Sequence, residues 1–145
     1  MLPDTSAIDN ALIGKLLADT TLMALVPDGI YYGEASPGKQ RFVIVSLITG
    51  QDVWQFGAVQ KRRAYEDKLY LVKAVMLSTA GGNIQQAAYR IDQLLEDGTL
   101  DIPGYTLMAM YREQPERFLE VDDVDPSIRW NHRGGQYRVQ ATPTS

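Results

Sequence analysis

The chain contains a single histidine, His132, which follows a predicted acidic turn that ends at Pro126. Imidazole and carboxylate groups together can bind a metal ion or act as a general acid and base, and Asp122, Asp123 and Asp125 supply the carboxylates. Catalytic zinc usually needs several histidines, however, and no H-E-x-x-H spacing occurs. Asp123 and Asp125 have the first spacing of a calcium loop, but its glycine and distal glutamate are missing. We therefore expect no metal here, and we interpret His132 as a surface histidine on an edge strand.

Other chemical patterns are also incomplete. Glu66 and Asp67 are neighbours on a predicted strand, so their side chains point to opposite faces and cannot share a proton. Gly81 and Gly82 precede a helix, but the spacing of a phosphate-binding loop is absent. Ser46 lies in an apolar strand without a nucleophile elbow. Since the chain has no cysteine, thiolate chemistry is excluded. The sequence predicts no catalytic residues, no cofactor and no metal site.

Length and composition indicate one globular domain. The 145 residues are 45% hydrophobic and 22% charged, which is ordinary for such a domain. The net charge of -4 argues against non-specific nucleic-acid binding, which usually shows as a basic face. No signal-peptide pattern opens the chain, and no apolar run approaches the roughly 20 residues of a membrane helix. We expect a protein made in the cytosol, without membrane contact and without sequence-specific binding to nucleic acid.

Charge is distributed unevenly along the chain. Ten acids lie between Asp92 and Asp125. Three arginines lie beyond Pro126, where no acid occurs: Arg129, Arg133 and Arg138. A basic cluster lies in mid-chain: Lys61, Arg62 and Arg63. Such charges can belong to solvated loops, or they can form patches of opposite sign that meet on identical neighbouring subunits and set their register.

Apolar spacing predicts two principal helices. Ser6 is a candidate N-cap for the first helix. The apolar stripe behind it consists of Ile8, Leu12, Leu16 and Leu17. Asp19 is expected to cap a short second turn, and Gly98 is expected to end the later helix in a left-handed conformation. The stripe of that later helix consists of Ile84, Ala87, Ala88, Ile91, Leu94 and Leu95.

Alternating and continuous apolar runs predict the strands. They cover residues 30–34, 41–49, 63–78, 105–113 and 116–121, with a brief strand at 100–102. With a final hairpin, the principal elements follow the order α-β-β-β-α-β-β-β, in which most neighbouring strands can pair as hairpins. This order predicts the α+β class: a mainly antiparallel sheet with two principal helices packed on it.

A glycine pair predicts the final hairpin. Gly134 and Gly135 lie between the extended run Ile128 to His132 and a second run through Tyr137 and Val139. A two-residue hairpin turn needs positive φ at both central residues, which glycine adopts readily. We therefore expect the chain to reverse direction at this pair. The domain is expected to span residues 1–141, followed by a short flexible tail at 142–145.

Residues 50–63 are expected to form a long loop between two strands. Trp54 and Phe56 lie there without a clean hydrophobic period. Together with the basic cluster they could stack on a single nucleic-acid strand and neutralise it, although the acidic net charge disfavours this. Aromatic residues and arginine are enriched in protein interfaces. We interpret the loop as a contact to a neighbouring subunit, with a mobile surface loop as the alternative.

Several segments together resemble the tail-terminator, or tail-completion, proteins of long-tailed bacteriophages and prophages. In the first half of the chain they are IDNALIGKLLAD, MALVPDGIYYGEA, RFVIVSL and AYEDKLYLVKAV. In the second half they are AAYRIDQLLEDGTLDIPGYTLMAMYRE and VDDVDPSIRWNHRGGQYRVQA. The resemblance covers nearly the whole chain and is weakest over residues 50–63 and the last few residues. It is a resemblance of fold pattern, without an active-site signature.

Membership of that family would imply a structural virion protein that has no enzymatic activity and needs no cofactor. The family's subunits form a ring, commonly a hexamer, on the head-proximal end of the tail tube. The ring stops polymerisation of the tube protein and offers a surface for head joining. The implied partners are copies of the same chain, the tail-tube protein and the connector proteins of the head. The implied location is the virion tail, after assembly in the cytoplasm of the host bacterium.

Two alternatives stay open on sequence alone. One is a head–tail joining protein of the phage neck, which is also a small ring subunit. The other is a small-molecule-binding or hydrolytic α+β domain, which would need a formed pocket around His132. The residues that we expect to contact a neighbouring subunit or the tube are aromatic, basic or acidic: Trp54, Phe56, Lys61, Arg62, Arg63, Asp122, Asp123, Asp125, Arg129 and Arg133.

Overall fold

A computed structural model describes residues 6–55 and 62–144, which form a five-stranded sheet and three helices. The helices are α1 (Ser6–Leu17), α2 (Thr20–Leu25) and α3 (Ile84–Leu95). The strands are β1 (Ile30–Tyr32), β2 (Arg41–Gln55), β3 (Arg62–Leu77), β4 (Tyr105–Val121) and β5 (Arg129–Pro143). This arrangement confirms the predicted α+β class.

Two long antiparallel hairpins lie side by side and make up most of the sheet. The strand order is β1-β2-β3-β5-β4, and only the short β1 pairs in parallel, with β2. The pair β2–β3 is joined laterally to the pair β4–β5 through β3 and β5, where Tyr70 lies opposite Tyr137. The sheet is therefore mainly antiparallel, as predicted, and β4 forms one of its edges.

The helices cover one side of the sheet, which we call the helix face. On α1 the side chains of Ile8, Leu12 and Leu16 are completely buried, as the predicted stripe requires, whereas Leu17 is exposed. On α3 the buried residues are Ala87, Ile91 and Leu95. They pack against buried strand residues of the same core: Val43, Val45, Tyr70, Val72, Ala74, Tyr137, Val139 and Ala141. Each large aliphatic side chain buried there contributes roughly 1.5–3 kcal/mol of stability.

Polar contacts attach all three helices to the rest of the fold. The hydroxyl of Tyr70 donates to Asp9 on α1, and the hydroxyl of Tyr137 donates to Asp92 on α3 over 3.0 Å. Asp19 caps α2, as predicted, by accepting from the backbone N–H of Leu22 over 2.8 Å. Its two oxygens also accept from Arg90 of α3, at 2.8 and 2.6 Å.

The opposite side of the sheet has no helix among the described residues, and we call it the open face. A small apolar cluster lies there, formed by Phe42, Ile44 and Val75. Tyr31 and Trp130 pack against this cluster, with the rings of Phe42 and Trp130 6.0 Å apart. The sheet is thus apolar on both sides near β1, which explains why residues 41–49 have no polar alternation.

The predicted reversal at the glycine pair is wrong. Gly134 and Gly135 lie in the middle of β5, paired with β3 on one side and β4 on the other. A Cβ at Gly134 would overlap the carbonyl oxygen of Val72, so glycine is needed because two backbones approach closely. The reversal occurs instead between β4 and β5, within residues 122–128.

Other predicted boundaries also differ. Part of the expected loop at residues 50–63 is strand, because β2 includes residues 50–55 and β3 includes Arg62 and Arg63, with continued backbone pairing of the two strands. The expected flexible tail at 142–145 is partly strand, since Thr142 and Pro143 pair with β4. Residues 100–102 form no strand, and the left-handed residue after α3 is Asp97 (φ 54°) rather than Gly98. Backbone pairing extends β2, β3 and β5 into these residues, although their sequence has no clear hydrophobic pattern.

None of the described helices has the length and apolar character that a bilayer crossing requires.

Candidate functional site

The far third of the β4–β5 hairpin runs from Arg117 to Arg133, and we call it the distal hairpin. On β4 every residue from Arg117 to Val121 is exposed, although successive side chains point to opposite faces. Its exposed apolar residues are Phe118, Leu119, Val121, Val124 and Ile128. Val124, at the turn, is 94% exposed. Such a concentration of exposed apolar residues usually marks a surface that contacts another protein.

The acidic turn of the distal hairpin, Asp122–Asp125, is held by its own carboxylates. Asp122 Oδ1 accepts from the backbone N–H of Val124 at 2.8 Å and of Asp125 at 3.0 Å. Asp125 Oδ1 accepts from the hydroxyl of Ser127 at 2.6 Å and from its N–H at 3.1 Å. These bonds from Ser127 lower the pKa of Asp125, so its carboxyl stays ionised. The turn is therefore ordered and presents Asp123 and Val124 outward.

Arginines line a cleft on the helix face, beside the same hairpin. The cleft has a volume of about 900 Å³ and lies between α3 and β4. Arg112 contacts Asp92 there at 3.4 Å. Arg117 and Arg133 lie directly opposite each other across β4 and β5. Neither guanidinium group has a hydrogen bond or ion pair within residues 6–55 and 62–144. Like charges in directly opposed strand positions are destabilising, so the two arginines repel each other without a counter-charge between them.

His132 lies on the open face and is not the surface histidine that we expected. It is on β5, between β3 and β4, and only 9% of it is exposed. Its ring stacks on Phe118 with 4.1 Å between centroids, and its Nε2 lies 2.9 Å from Glu120 Oε1. Its Nδ1 is buried, with no hydrogen-bond partner in the described part of the chain. The prediction failed because β4 pairs along β5 and covers this strand.

The environment of His132 favours the neutral imidazole. Burial lowers its pKa, and Lys73 adds to that effect, while the bond to Glu120 opposes it. A carboxylate can only accept, so the neutral ring is the tautomer with the proton on Nε2, donating to Glu120. The contacting acid is Glu120 and not an aspartate of the acidic turn. Within the described ranges, no group of three or more histidine or acidic side chains is arranged to hold a metal ion.

Protonation of His132 should therefore destabilise the fold. Below its ordinary pKa of 6.5 the unfolded chain binds a proton that the folded chain rejects, so stability falls as the pH drops through the lower folded pKa. The single histidine resonance in NMR should titrate with a midpoint below 6.5. The His132→Gln variant should lose this part of the pH dependence of urea unfolding. A midpoint at or above 6.5 would contradict the burial argument.

The structure brings some predicted contact residues together and separates others. The acidic turn and Arg133 lie on the distal hairpin, and Arg129 begins β5 there, donating to the carbonyl of Pro126 over 3.4 Å. Trp54 lies on β2 opposite Arg63 on β3, and Arg62 lies opposite Gln55, far along the other hairpin. Phe56 and Lys61 lie outside the described residues. The interface role of all these residues stays a prediction.

Internal pairing accounts for part of the uneven charge. Arg138, which has no acidic neighbour in the sequence after Pro126, contacts Asp67 at 2.7 Å and Glu113 at 2.8 Å. These bonds raise its pKa further. Strand pairing thus neutralises one of the three C-terminal arginines and leaves Arg133 without a described counter-charge.

The exposed apolar residues of β4 were not found from the sequence. Phe118, Leu119 and Val121 make a predicted strand apolar apart from Glu120, but such a composition is equally typical of a buried strand. Only the position of β4 at the sheet edge, beyond the helices, shows that these residues are exposed.

Almost the whole fold is shared with chains of known structure. A chain from the structure described as "Virion of native gene transfer agent (GTA) particle" is 16% identical, with a TM-score of 0.62 over 94% of this chain and 96% of that one. A second solved chain is 12% identical, with a TM-score of 0.58 over 98% of this chain and 96% of its own. At these identities the likeness is one of fold. No protein-family model matches the chain, and no curated protein matches it by sequence.

Proposed function

We propose that this chain is a structural virion protein of a long-tailed phage or phage-like particle, acting as the tail terminator. In this role copies of the chain form a ring on the head-proximal end of the tail tube. The ring stops tube polymerisation and offers a surface for head joining. The observation that carries the proposal is the match of the complete fold to a chain from a gene transfer agent virion, over 94% of this chain. The sequence resemblance to tail-terminator proteins supports the same assignment.

The surface of the chain is compatible with a ring. A ring needs a heterologous interface, in which two different patches of each subunit meet. The distal hairpin has an acidic turn at its end and an arginine-lined cleft at its base. The edge strand β4 also carries exposed apolar side chains, which a neighbouring subunit would remove from water. A lasting interface buries on the order of 1,200–2,000 Å² in total, and a projecting hairpin helps a small subunit reach that area.

A head–tail joining protein of the neck is the nearest alternative. It would use the same kind of ring, and the fold match applies to it equally. The two roles differ in their first partner, because a terminator binds the end of the tail tube whereas a joining protein binds the head connector. Binding of the purified protein to each partner separately discriminates between them.

A hydrolytic role is less well supported, because Ser46, the serine that shares a groove on the open face with His132, lies far from it. His132 pairs with Val75, whereas Ser46 lies two strands away, opposite Leu71. Strand spacing and rise place the two side chains roughly 16 Å apart. We therefore propose that the chain is not an enzyme and uses no cofactor.

The proposal is tested by the native mass of the purified protein, measured by light scattering across concentration and salt, with negative-stain images of each species. We expect rings, or monomers that assemble into rings at high concentration or on tube protein. Addition of the protein to polymerising tube protein should shorten the tubes and leave a ring at one end. A persistent monomer that neither forms rings nor limits tube growth would refute the assignment.

A further inference from the structure

We propose that the acidic turn of one copy, Asp122–Asp125, docks in the arginine-lined cleft of a neighbouring copy. The cleft lies between α3 and β4 and presents Arg117 and Arg133. This contact rests on the proposed function, because it specifies how adjacent subunits of the ring would recognise one another.

The cleft lacks a counter-charge in the isolated chain. Two acids border it, but Asp92 already contacts Arg112 and Tyr137. Glu116 precedes Arg117 in β4, so its carboxylate points to the opposite face of the sheet, where it accepts from Gln136. Arg117 and Arg133 then face each other across the strands without a described partner. A carboxylate placed between them would relieve their repulsion and could accept from both guanidinium groups. The cleft volume of about 900 Å³ leaves room for several side chains of a turn.

The acidic turn has the shape and charge to be the occupant. Its hydrogen bonds from Val124, Asp125 and Ser127 hold the backbone, so little conformational entropy would be lost on docking. Asp123 is exposed and has no hydrogen bond or ion pair to the described residues, so its carboxylate is available. Val124 is 94% exposed and would lose water contact in the cleft. The turn therefore offers one free charge and one apolar side chain on a rigid support.

The turn cannot reach the cleft of its own chain. Arg117 and Arg133 lie four residues before and after the ends of the two strands, Val121 and Arg129. Since a strand rises about 3.3 Å per residue, the two arginines lie roughly 13 Å from the strand ends that carry the turn. Continuous backbone pairing from Arg117 to Val121 prevents the hairpin from folding back on itself. The acidic turn can therefore meet this kind of cleft only on another molecule, which makes the contact heterologous.

Complementary charge reversals test this contact. Asp123→Lys changes only the turn, and Arg117→Glu changes only the cleft; both side chains are exposed and have no described partner, so both variants should fold. Self-association is measured by sedimentation velocity at low and high salt. We expect each variant to associate about tenfold more weakly or worse, as for loss of one partner of an interfacial charge pair. Association of the wild type should weaken as salt screens the charges.

Recovery of association is the decisive observation. In an equimolar mixture, the turn of the Asp123→Lys variant meets the cleft of the Arg117→Glu variant with restored opposite charge. The following contact joins the unchanged turn of the Arg117→Glu variant to the unchanged cleft of the Asp123→Lys variant. Assemblies in which the two variants alternate should therefore form. The double variant Asp123→Lys, Arg117→Glu should also associate with itself. Asp101→Lys and Lys39→Glu are charge reversals outside both patches and should associate like the wild type. Weakened single variants without recovery in the mixture, or single variants that associate normally, would overturn the docking contact.

The tube-growth assay separates failure of this contact from failure of the proposed function. If the variants associate normally and still limit tube growth, the function stands and the docking contact is wrong. If charge reversal and recovery occur but the wild type does not act on tubes, the contact stands and the terminator role is wrong. A wild-type protein that never self-associates, alone or on tubes, contradicts both.

Discussion

Replacing Gly134 with alanine should lower the free energy of unfolding by roughly 3 kcal/mol or more, which is large beside the stability of a small domain. A Cβ at this position would overlap the carbonyl oxygen of Val72 and lie 2.5 Å from the Cα of Lys73. Both are backbone atoms of the neighbouring strand, so no side-chain rotation can relieve the overlap. The two long hairpins would have to separate where β3 meets β5. Urea unfolding followed by circular dichroism measures the loss.

Two other glycines provide matched controls for the Gly134→Ala variant. A Cβ at Gly14, inside α1, meets nothing within 4 Å, so Gly14→Ala should stabilise the protein by about 0.5–1 kcal/mol. A Cβ at Gly135 meets its nearest atoms at 3.1 Å, so Gly135→Ala should cost less than Gly134→Ala. A Gly134→Ala variant as stable as the wild type would show that β3 and β5 are not packed this closely.

Raising the pH above 10 should unfold the protein steeply. Tyr70 and Tyr137 lie opposite each other at the centre of the sheet and are almost completely buried. Burial, together with the carboxylates of Asp9 and Asp92, raises the pKa of both phenols far above the ordinary value of 10. The unfolded chain therefore loses two protons above pH 10 that the folded chain retains. The free energy of unfolding should then fall by up to about 2.7 kcal/mol per pH unit from these two groups.

Single tyrosine replacements resolve this effect. In Tyr70→Phe or Tyr137→Phe, the slope of unfolding free energy against pH between 10 and 11 should become shallower by up to about 1.4 kcal/mol per unit. Tyr89→Phe, at a side chain that is 64% exposed, is the matched control and should leave the slope as it is. Equal slopes for Tyr70→Phe, Tyr137→Phe and the wild type would mean that the two buried phenols ionise in the folded state. Urea midpoints at each pH provide the measurement.

The two tyrosines also show how a local pattern becomes a site of long-range contact. Tyr70 and Tyr137 appear in the sequence as ordinary members of alternating runs. The pairing of β3 with β5 places them opposite each other, and each then receives a carboxylate from a different helix. The alternation predicted that they lie on strands, but nothing local to either residue indicated its acidic partner.

The candidate site was predicted in part. The acidic turn and Arg133 were named from residue types and charge, and the structure places them on one hairpin. Arg138 was grouped with Arg133 from the sequence, yet it bridges Asp67 and Glu113 internally. The opposition of Arg117 and Arg133 depends on the register of β4 against β5, and no sequence pattern identified that register.

What the sequence alone determined are the features that depend on near neighbours in the chain. The stripes of α1 and α3, the cap at Asp19 and the α+β order follow from the periods of 3.6 and 2 and from capping chemistry. The tertiary structure decided the rest: that Gly134 lies inside β5 and not in a turn, why it is a glycine, and how His132 becomes buried. Each of these depends on atoms that are distant in sequence, such as Val72 beside Gly134. Those contacts form only when the strands pair, so local patterns in the amino-acid sequence cannot reveal them.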